Sequence, residues 1–285
     1  MLDFAKKSIM WAFAVVTAVF TFLPEKFFES YEWVSNEMLK RYAWIEQLDA
    51  QTVNIIISRV ICFLVIWVAT GLIYVFCLII RRRITIKGKN YVIRVEYGDI
   101  LKKRKCKRVI SFDECFTTEI GTAIAEIKPT SICGQYLATH SDLDVQQLIT
   151  SANITPALGK SKYQNQVRYN SGTIVPNGDD LLLAFVKLDE RGKGRFFSRD
   201  EYLECLDMLW KELENYYAEH DVCVPILGAG PTSFDDGSGA SISQQDLLDM
   251  MIWSYRLSSH KIKAPHKLRI VCKKNAGFSI NNICC

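Results

Sequence analysis

The 285-residue sequence has little net charge and no repeated or low-complexity segment. It carries 35 Lys and Arg against 31 Asp and Glu, a formal net charge of +4. So small an excess excludes a strongly basic surface for nucleic acid, and we expect no nucleic-acid partner. Apolar residues make up 49% of the chain, which excludes an intrinsically disordered protein. The length allows one large domain or two small ones.

The sequence also lacks the motifs of metal sites and of common hydrolases. Its ten cysteines include no CxxC pair, and its four histidines do not lie at zinc-ligand spacing from a cysteine. HExxH, GxSxG and Walker A motifs are missing as well. Cys133 and His140 are close in sequence, but a buried thiol and a surface imidazole are favoured over a catalytic pair. We therefore expect no metal, no resident cofactor and no catalytic set.

Two long hydrophobic runs stand out near the start of the chain. Residues 8–23 hold sixteen positions without a charge, and residues 60–80 hold twenty-one. As helices they would span about 24 and 31 Å, against a hydrocarbon core of about 30 Å. The alternatives are buried core helices and, for the first run, a signal peptide, although residues 22–26 lack the small residues of a cleavage site. The pattern predicts two transmembrane helices, so the chain would contact the lipid bilayer.

Basic residues on either side of these runs predict their orientation. Lys6 and Lys7 precede the first run and Arg81–Arg83 follow the second, whereas residues 24–59 carry four basic and six acidic residues. The positive-inside rule then places both termini in the cytoplasm and residues 24–59 outside. That connection has apolar residues at three- and four-residue steps, which predicts an amphipathic helix on the outer surface. These residues are Phe28, Tyr31, Val34, Met38, Tyr42 and Ile45.

A transmembrane hairpin over residues 1–83 has a consequence for assembly. Two helices per chain cannot enclose a pore. Any action on the membrane would therefore require several copies, and we expect a homo-oligomer.

The remaining residues, 84–285, are enough for one compact α/β domain. Six segments have the pattern of strands: 91–97, 108–112, 171–175, 181–188, 222–227 and 268–273. Capping residues predict helices that begin at Ser198 and Ser243, and a weaker one near Ser141. Strands that alternate with helices favour a largely parallel sheet between helical layers.

A basic run, Lys102–Arg108, lies shortly after the second hydrophobic run. Two interpretations stay open for it. Its lysines and arginines could contact anionic lipid headgroups, or they could form a solvated hairpin turn.

Three loops with glycine are expected at the carboxyl ends of strands, where such sheets bind ligands. They are Tyr97–Ile100, Ser131–Gln135 and the long segment that starts at Leu227. A buried strand that runs into glycine lets main-chain N–H groups approach an anion closely. The last loop thus predicts a phosphate cradle, unless Asp235 and Asp236 crowd it. The alternative is a plain surface connection.

Together, residues 95–100, 131–135 and 224–230 resemble the macro domain, a fold that binds ADP-ribose and its derivatives. With two N-terminal spans, the chain is similar to the membrane effectors of Thoeris-type bacterial anti-phage systems. The resemblance implies a three-layer α/β/α domain with a mixed, largely parallel sheet. It also implies a multi-pass protein of the bacterial inner membrane.

The resemblance assigns a part of the ligand to each loop. Asp99 would accept a hydrogen bond from the adenine amino group, with Gly98 and Ile100 beside it, whereas the alternative is that Asp99 caps a turn. The diphosphate would be held by Gly228, Ala229 and Gly230. The distal ribose and its phosphate would be lined by Ser131, Gly134 and Gln135.

One departure from the family concerns catalysis. Hydrolytic macro domains carry an Asn-Ala-Asn-type segment after an early strand, and the comparable residues here are Ser111–Cys115. This difference favours binding without turnover.

In the resembling systems, a TIR-domain partner consumes NAD and makes the signal. The ligand would be an ADP-ribose derivative, with histidine-linked ADP-ribose as one candidate. Its binding would reorganise assembled copies until the membrane leaks and the cell dies or stops growing. The alternative functions are a membrane-tethered hydrolase of ADP-ribosyl compounds and an anchored protein-binding scaffold.

Overall fold

The computed structural model describes residues 2–22, 26–35, 38, 49–196, 198–230, 233–234, 242–274 and 278–283. The chain divides into two compact units, Met1–Arg81 and Arg82–Cys285. Each unit is described by itself.

The first unit is helical. Its helices are α1 (Leu2–Phe22), α2 (Lys26–Glu29) and α3 (Ala50–Ile80). Helices α1 and α3 pack together, with the rings of Phe13 and Phe63 6.0 Å apart. Within the described ranges, one helix, α3, is long and apolar enough to cross a bilayer, and its most apolar stretch is unburied. A second crossing by α1 stays a prediction.

The helix predicted along the connection 24–59 is interrupted in the described residues. Residues 26–29 and Met38 are helical, whereas residues 30–35 are not. The last ten residues of the connection already belong to α3. Tyr42 and Ile45 lie outside the described residues.

The side chain of Asn54 explains why residues 31–35 leave the helical path. The N–H groups of Trp33 and Val34 donate to Asn54 Oδ1 at 3.0 and 2.8 Å, and Asn54 Nδ2 donates to the Val34 carbonyl at 2.9 Å. The Trp33 indole N–H donates to Ser58 Oγ at 2.9 Å. Helix α3 thus provides the hydrogen bonds that an amphipathic helix would have formed within itself.

The second unit is built on one mixed sheet, of nine strands in the described residues. The strands are β1 (Arg83–Lys87), β2 (Val92–Tyr97), β3 (Cys106–Asp113), β4 (Ile174–Asn177), β5 (Asp180–Leu188), β6 (Gly194–Phe196), β7 (Asp221–Pro225), β8 (Ser233–Phe234) and β9 (Leu268–Cys272). Their order is β1-β2-β9-β7-β3-β5-β6-β8, and β4 pairs with β5. The five strands from β2 to β5 in this order are parallel. Strand β1 pairs antiparallel with β2, and β4 pairs antiparallel with β5.

Helices cover both faces of this sheet. They are α4 (Ile132–Thr139), α5 (Val145–Ser151), α6 (Arg199–Tyr216) and α7 (Gln244–Leu257). Alternate residues of β5 enter different cores: Leu181 and Leu183 pack with α6 and α7, whereas Leu182 and Ala184 pack with α4 and α5. This period of two confirms the predicted α/β fold with a mixed, largely parallel sheet.

Local capping explains where the helices begin. Ser198 Oγ accepts from the Glu201 N–H and Ser243 Oγ from the Asp246 N–H, both at 3.1 Å, as predicted. The helix expected near Ser141 instead begins after Asp144, whose carboxylate accepts from the Gln147 N–H. Helix α4 and strand β1 were not predicted, and the strand expected at 171–175 is displaced to Ile174–Asn177.

Candidate functional site

The three predicted loops adjoin one region of the sheet. Strands β2 and β7 are parallel and separated only by β9, so their carboxyl ends lie about 10 Å apart, two inter-strand spacings. Gly98 follows β2, and the loop with Gly228 follows β7. The structure thus places the predicted adenine and diphosphate loops on the same edge of the sheet.

The first loop is anchored at Gly98 and shaped by Asp99. The Gly98 N–H donates to the carbonyl of Cys272, the last residue of β9, at 2.9 Å. Asp99 Oδ1 accepts from the Leu101 N–H at 3.0 Å and caps the short 3₁₀ turn Ile100–Lys102. Asp99 therefore caps a turn, as the alternative interpretation of this residue expected. More than a third of the Asp99 side chain is nevertheless exposed, 37%, so a ligand can still reach its carboxylate.

Ile100 joins the first loop to the second. Its side chain is 3% exposed and packs in a small cluster with Cys106, Cys223 and Val271. Ile132, which follows Ser131 at the start of α4, packs against the same cluster. The structure therefore brings the first and second loops together, with Ile100 as an anchor below the surface.

The second loop is the beginning of helix α4. Ser131 Oγ accepts from the Gly134 N–H at 3.0 Å and donates to the Lys128 carbonyl at 2.7 Å. A Cβ at Gly134 would overlap that same carbonyl, so only glycine fits there. Gln135 Nε2 donates to the Thr130 carbonyl at 2.9 Å. These side chains are committed to the turn, so their first role is to preorganise its main chain.

The third loop leaves the buried end of β7. Leu227 is fixed from both sides, because Tyr202 Oη donates to its carbonyl at 3.1 Å and its N–H points to Met251 Sδ at 3.4 Å. Gly228 follows with φ +83°, a left-handed conformation that favours glycine. The N–H of Ala229 donates to the Ile226 carbonyl at 3.4 Å, and no atom of the described residues lies within 4 Å of a Cβ placed on Gly230. Asp235 and Asp236 lie outside the described residues.

A buried carboxylate beside the first loop was missed in the sequence. Glu96, 7% exposed, accepts from Lys103 Nζ and Arg269 Nη2, each at 2.6 Å. Burial alone would raise the pKa of Glu96, but the hydrogen bonds from the two cations hold it below its ordinary value. The sequence signal for Glu96 was the alternation of apolar and polar residues along β2. That alternation did not show that Lys103 and Arg269 would pair with this carboxylate.

Three of the six basic residues in the run 102–108 pair closely with carboxylates of the domain, whereas Lys102, Arg104 and Lys105 are exposed. Lys103 pairs with Glu96, Lys107 with Asp179 at 3.0 Å and Arg108 with Asp180 at 2.7 Å. The segment contains a 3₁₀ turn and the start of β3 instead of a hairpin turn. Contact of its exposed residues with lipid headgroups stays a prediction.

The acidic residues at the end of β3 are occupied by their own surroundings. Asp113 accepts from the N–H groups of Cys115 at 2.8 Å and of Thr117 at 3.3 Å, and also from the Thr117 hydroxyl. Burial raises the pKa of Asp113 despite these bonds.

Glu114 is committed in the same way. It accepts from Ser161 Oγ at 2.6 Å and from the Leu188 N–H at 3.1 Å, and Arg168 lies 3.4 Å away. Glu114 therefore holds loops together, and its 2% exposure leaves no surface for a substrate.

Cys133 and His140 do not form a catalytic pair. Burial raises the pKa of the Cys133 thiol well above its ordinary value. The His140 ring instead stacks on Tyr136, with centroids 4.2 Å apart. Within the described ranges, three or more His, Cys, Asp or Glu side chains nowhere form a group that could hold a metal ion.

A cavity of about 350 Å³ lies between the segment that follows β3 and the beginning of α5. It is lined by Phe116, Thr118 and residues 141–146. None of the predicted ligand-binding residues lines it. The predicted site is thus an edge of main-chain and glycine positions, distinct from this cavity.

A three-layer α/β domain with glycine loops at the carboxyl edge of parallel strands has the architecture of a nucleotide-binding α/β domain. Residues 93–273 match the family described as Thoeris protein ThsA, macro domain. This chain therefore belongs to that family, which places it in Thoeris anti-phage defence and implies that its domain binds an ADP-ribose derivative.

Individual relatives agree with the family. Thoeris protein ThsA of Bacillus amyloliquefaciens (strain Y2) is 28% identical over 217 residues, which cover 72% of this chain and 70% of that protein. Two solved mutants of an Oceanobacillus iheyensis macrodomain, one with ADPR, cover 68% of this chain and 91% of their own, at 9% and 10% identity. Their TM-scores are 0.44 and 0.43, so the family assignment rests on sequence.

Proposed function

We propose that the chain is a membrane-anchored sensor that binds an ADP-ribose derivative without converting it. The observation that carries this proposal is the convergence of the three loops around the ends of β2, β9 and β7. Family membership supports the class of ligand, and the geometry of the loops supports the proposed position of the site.

Each loop offers the chemistry that one part of such a ligand needs. The exposed side of the Asp99 carboxylate can accept from an exocyclic amine while its other oxygen caps the turn. The left-handed conformation of Gly228 and the small size of Gly230 allow a diphosphate to approach the main chain, with Ala229 between them.

The distal part of the ligand would meet the beginning of α4. Ser131, Gly134 and Gln135 hold that turn in shape, so the ligand would meet its main chain. A preorganised turn binds with less ordering cost than a flexible one.

Binding without turnover is supported by the residues at the end of β3. The carboxylates of Asp113 and Glu114 each accept several hydrogen bonds from the protein, and both are buried. A general base must reach the proton or water that it activates. Neither side chain can do so while it holds its own loop.

The membrane part of the proposal is supported by α3. Its 31 residues extend for about 46 Å, so a span at 60–80 leaves about ten N-terminal residues beyond a core of about 30 Å. We propose that α1 crosses as a second span and that both termini face the cytoplasm of a bacterial inner membrane. The signal would come from a TIR-domain partner, and assembled copies would then disrupt the membrane.

Calorimetry on the full chain in lipid nanodiscs tests the sensor. We expect both ADP-ribose and histidine-linked ADP-ribose to bind, the second more tightly if it is the signal, and chromatography to recover each ligand unchanged. Asp142→Asn, in the separate cavity, serves as the matched control. A wild-type chain that binds neither compound would leave the scaffold as the function, and released products would establish the hydrolase.

Loss of membrane integrity is tested in cells. A potential-sensitive dye should report depolarisation only when the chain and a TIR-domain partner are expressed together. Depolarisation that is independent of the partner would contradict a nucleotide-gated effector.

A further inference from the structure

Glu96 lies where the first loop, the central sheet and the chain's entry into the second unit meet. It is the last but one residue of β2, two positions before Gly98. Lys103 Nζ and Arg269 Nη2 both donate to its Oε1 at 2.6 Å. A buried carboxylate with two cationic donors on one oxygen is a rigid junction.

The bond from Lys103 closes the loop that carries Asp99. The loop leaves β2 at Gly98, and the 3₁₀ turn Ile100–Lys102 ends just before Lys103. The Lys103 ammonium returns to the start, where a Cβ at Gly98 would meet it at 3.1 Å. The pair Glu96–Lys103 thus joins the two ends of the loop that carries Asp99.

Glu96 and Tyr97 of β2 also pair with the beginning of β1, which is the first strand of this unit. Glu96 is in register with Arg83 of β1, and the N–H of Tyr97 donates to the carbonyl of Arg82 at 3.0 Å. Only Arg81 and Arg82 separate β1 from Ile80, the last residue of α3. A shift of β2 at this point must therefore move the beginning of β1.

We propose that Glu96 is a positioning residue, which sets the nucleotide loop through Lys103 and passes the loop's state to β1 through the β1–β2 ladder. The inference rests on the proposed function, because it assumes that a nucleotide occupies this loop. Glu96 itself does not touch the ligand. Its effect on binding is carried by Lys103, and its effect on the entry strand by the register with Arg83.

The test combines calorimetry with hydrogen exchange on the full chain in nanodiscs, using ADP-ribose and histidine-linked ADP-ribose as probes. We expect Lys103→Met and Glu96→Gln each to weaken binding about tenfold, and the double variant to lose no more than either one. In the wild-type chain, saturating probe should slow amide exchange in residues 82–87. That slowing should disappear in both variants at saturation.

Lys107→Met is the matched control, because it removes another ion-paired lysine of the same basic run, the partner of Asp179. It should leave affinity and exchange unchanged. If Glu96→Gln fails to fold, the exchange measurement on Lys103→Met still tests the link to β1, because this variant leaves the Glu96–Arg269 pair intact. Slowing of residues 82–87 by saturating probe in that variant would then contradict the inference.

Three results would overturn the inference, and one of them would also overturn the proposed function. A loss of affinity in Lys103→Met with normal binding in Glu96→Gln would mean that the lysine contacts the nucleotide directly. Bound probe without slower exchange in residues 82–87 would mean that β1 does not respond. A wild-type chain that binds neither probe would remove the nucleotide site itself.

Discussion

Asp99 caps a turn, and we propose that it also binds adenine; substitutions can distinguish the two roles. Its Oδ1 accepts from the Leu101 N–H at 3.0 Å, and its Oδ2 lies 4.0 Å from Lys102 Nζ in a side chain that is 37% exposed. Asp99→Ala removes both functions. Loss of a cap costs about 0.5–2 kcal/mol of folding free energy, and we expect the lower end because the turn is short.

The expected effect of Asp99→Ala on the affinity for the ligand is larger than its effect on stability. A hydrogen bond to a charged group contributes about 1.5–3 kcal/mol, so loss of the adenine contact should raise the Kd about ten- to hundredfold. Asp99→Ser separates the two tasks. Serine can still accept from the Leu101 N–H, but its side chain is one carbon shorter and ends before the exposed edge. We expect it to restore stability and to leave binding as weak as in the alanine variant.

Thermal unfolding and calorimetry on the same samples measure the two effects. A serine variant that binds ADP-ribose as well as the wild-type chain would remove Asp99 from the site. A serine variant that remains as unstable as alanine would refute the capping role.

Four further predictions follow from the contacts. Gly134→Ala should lower the free energy of unfolding by about 1–3 kcal/mol, because its Cβ would overlap the Lys128 carbonyl, and denaturant titration would measure the loss. Gly228→Val should abolish binding, since a branched residue at φ +83° is strained and crowds the diphosphate, whereas Gly230→Ala should fold normally. Asn54→Leu should destabilise the first unit by about 1–3 kcal/mol by leaving two N–H groups unpaired, which thermal unfolding in nanodiscs would report. The pKa of Glu96 is lowered, so its contribution to stability is full above its ordinary value of 4.5 and is lost as pH falls through the folded pKa. In Glu96→Gln, the unfolding midpoint should change less with pH in that acidic range. A pH dependence as steep as in the wild-type chain would contradict a lowered pKa of Glu96.

Local signals in the sequence predicted much of the second unit. The capping serines at 198 and 243 fall where their helices begin, because a cap and its acceptor lie only three residues apart. The long apolar strand of 181–188 is confirmed for the same reason, since its pattern is contained within one element.

Elements that depend on distant partners were missed or wrong. Strand β1 forms because it pairs with β2. Its five residues follow closely on the hydrophobic run 60–80, so they have no separate strand signal in the sequence. The helix expected through residues 31–35 fails because Asn54, twenty residues further on, takes over the hydrogen bonds of Trp33 and Val34. A periodic pattern carries no information about such a competitor.

For the candidate site, the glycine loops could be located from the sequence but not their partners. Gly98, Asp99 and Gly228 follow strands as expected. The engagement of Asp99 with its own turn, of Ser131 with α4 and of Glu114 with three other segments appears only when the chain is folded.

The amino-acid sequence by itself determined the apolar helix, the alternation of strands and helices, and the glycine positions at which an anion can approach the main chain. These properties depend on neighbours a few residues apart, so composition and period record them. Only the tertiary structure decided which charges meet. Glu96 and Arg269 are 173 positions apart and 2.6 Å from each other, and that contact exists because the parallel sheet places β2 beside β9.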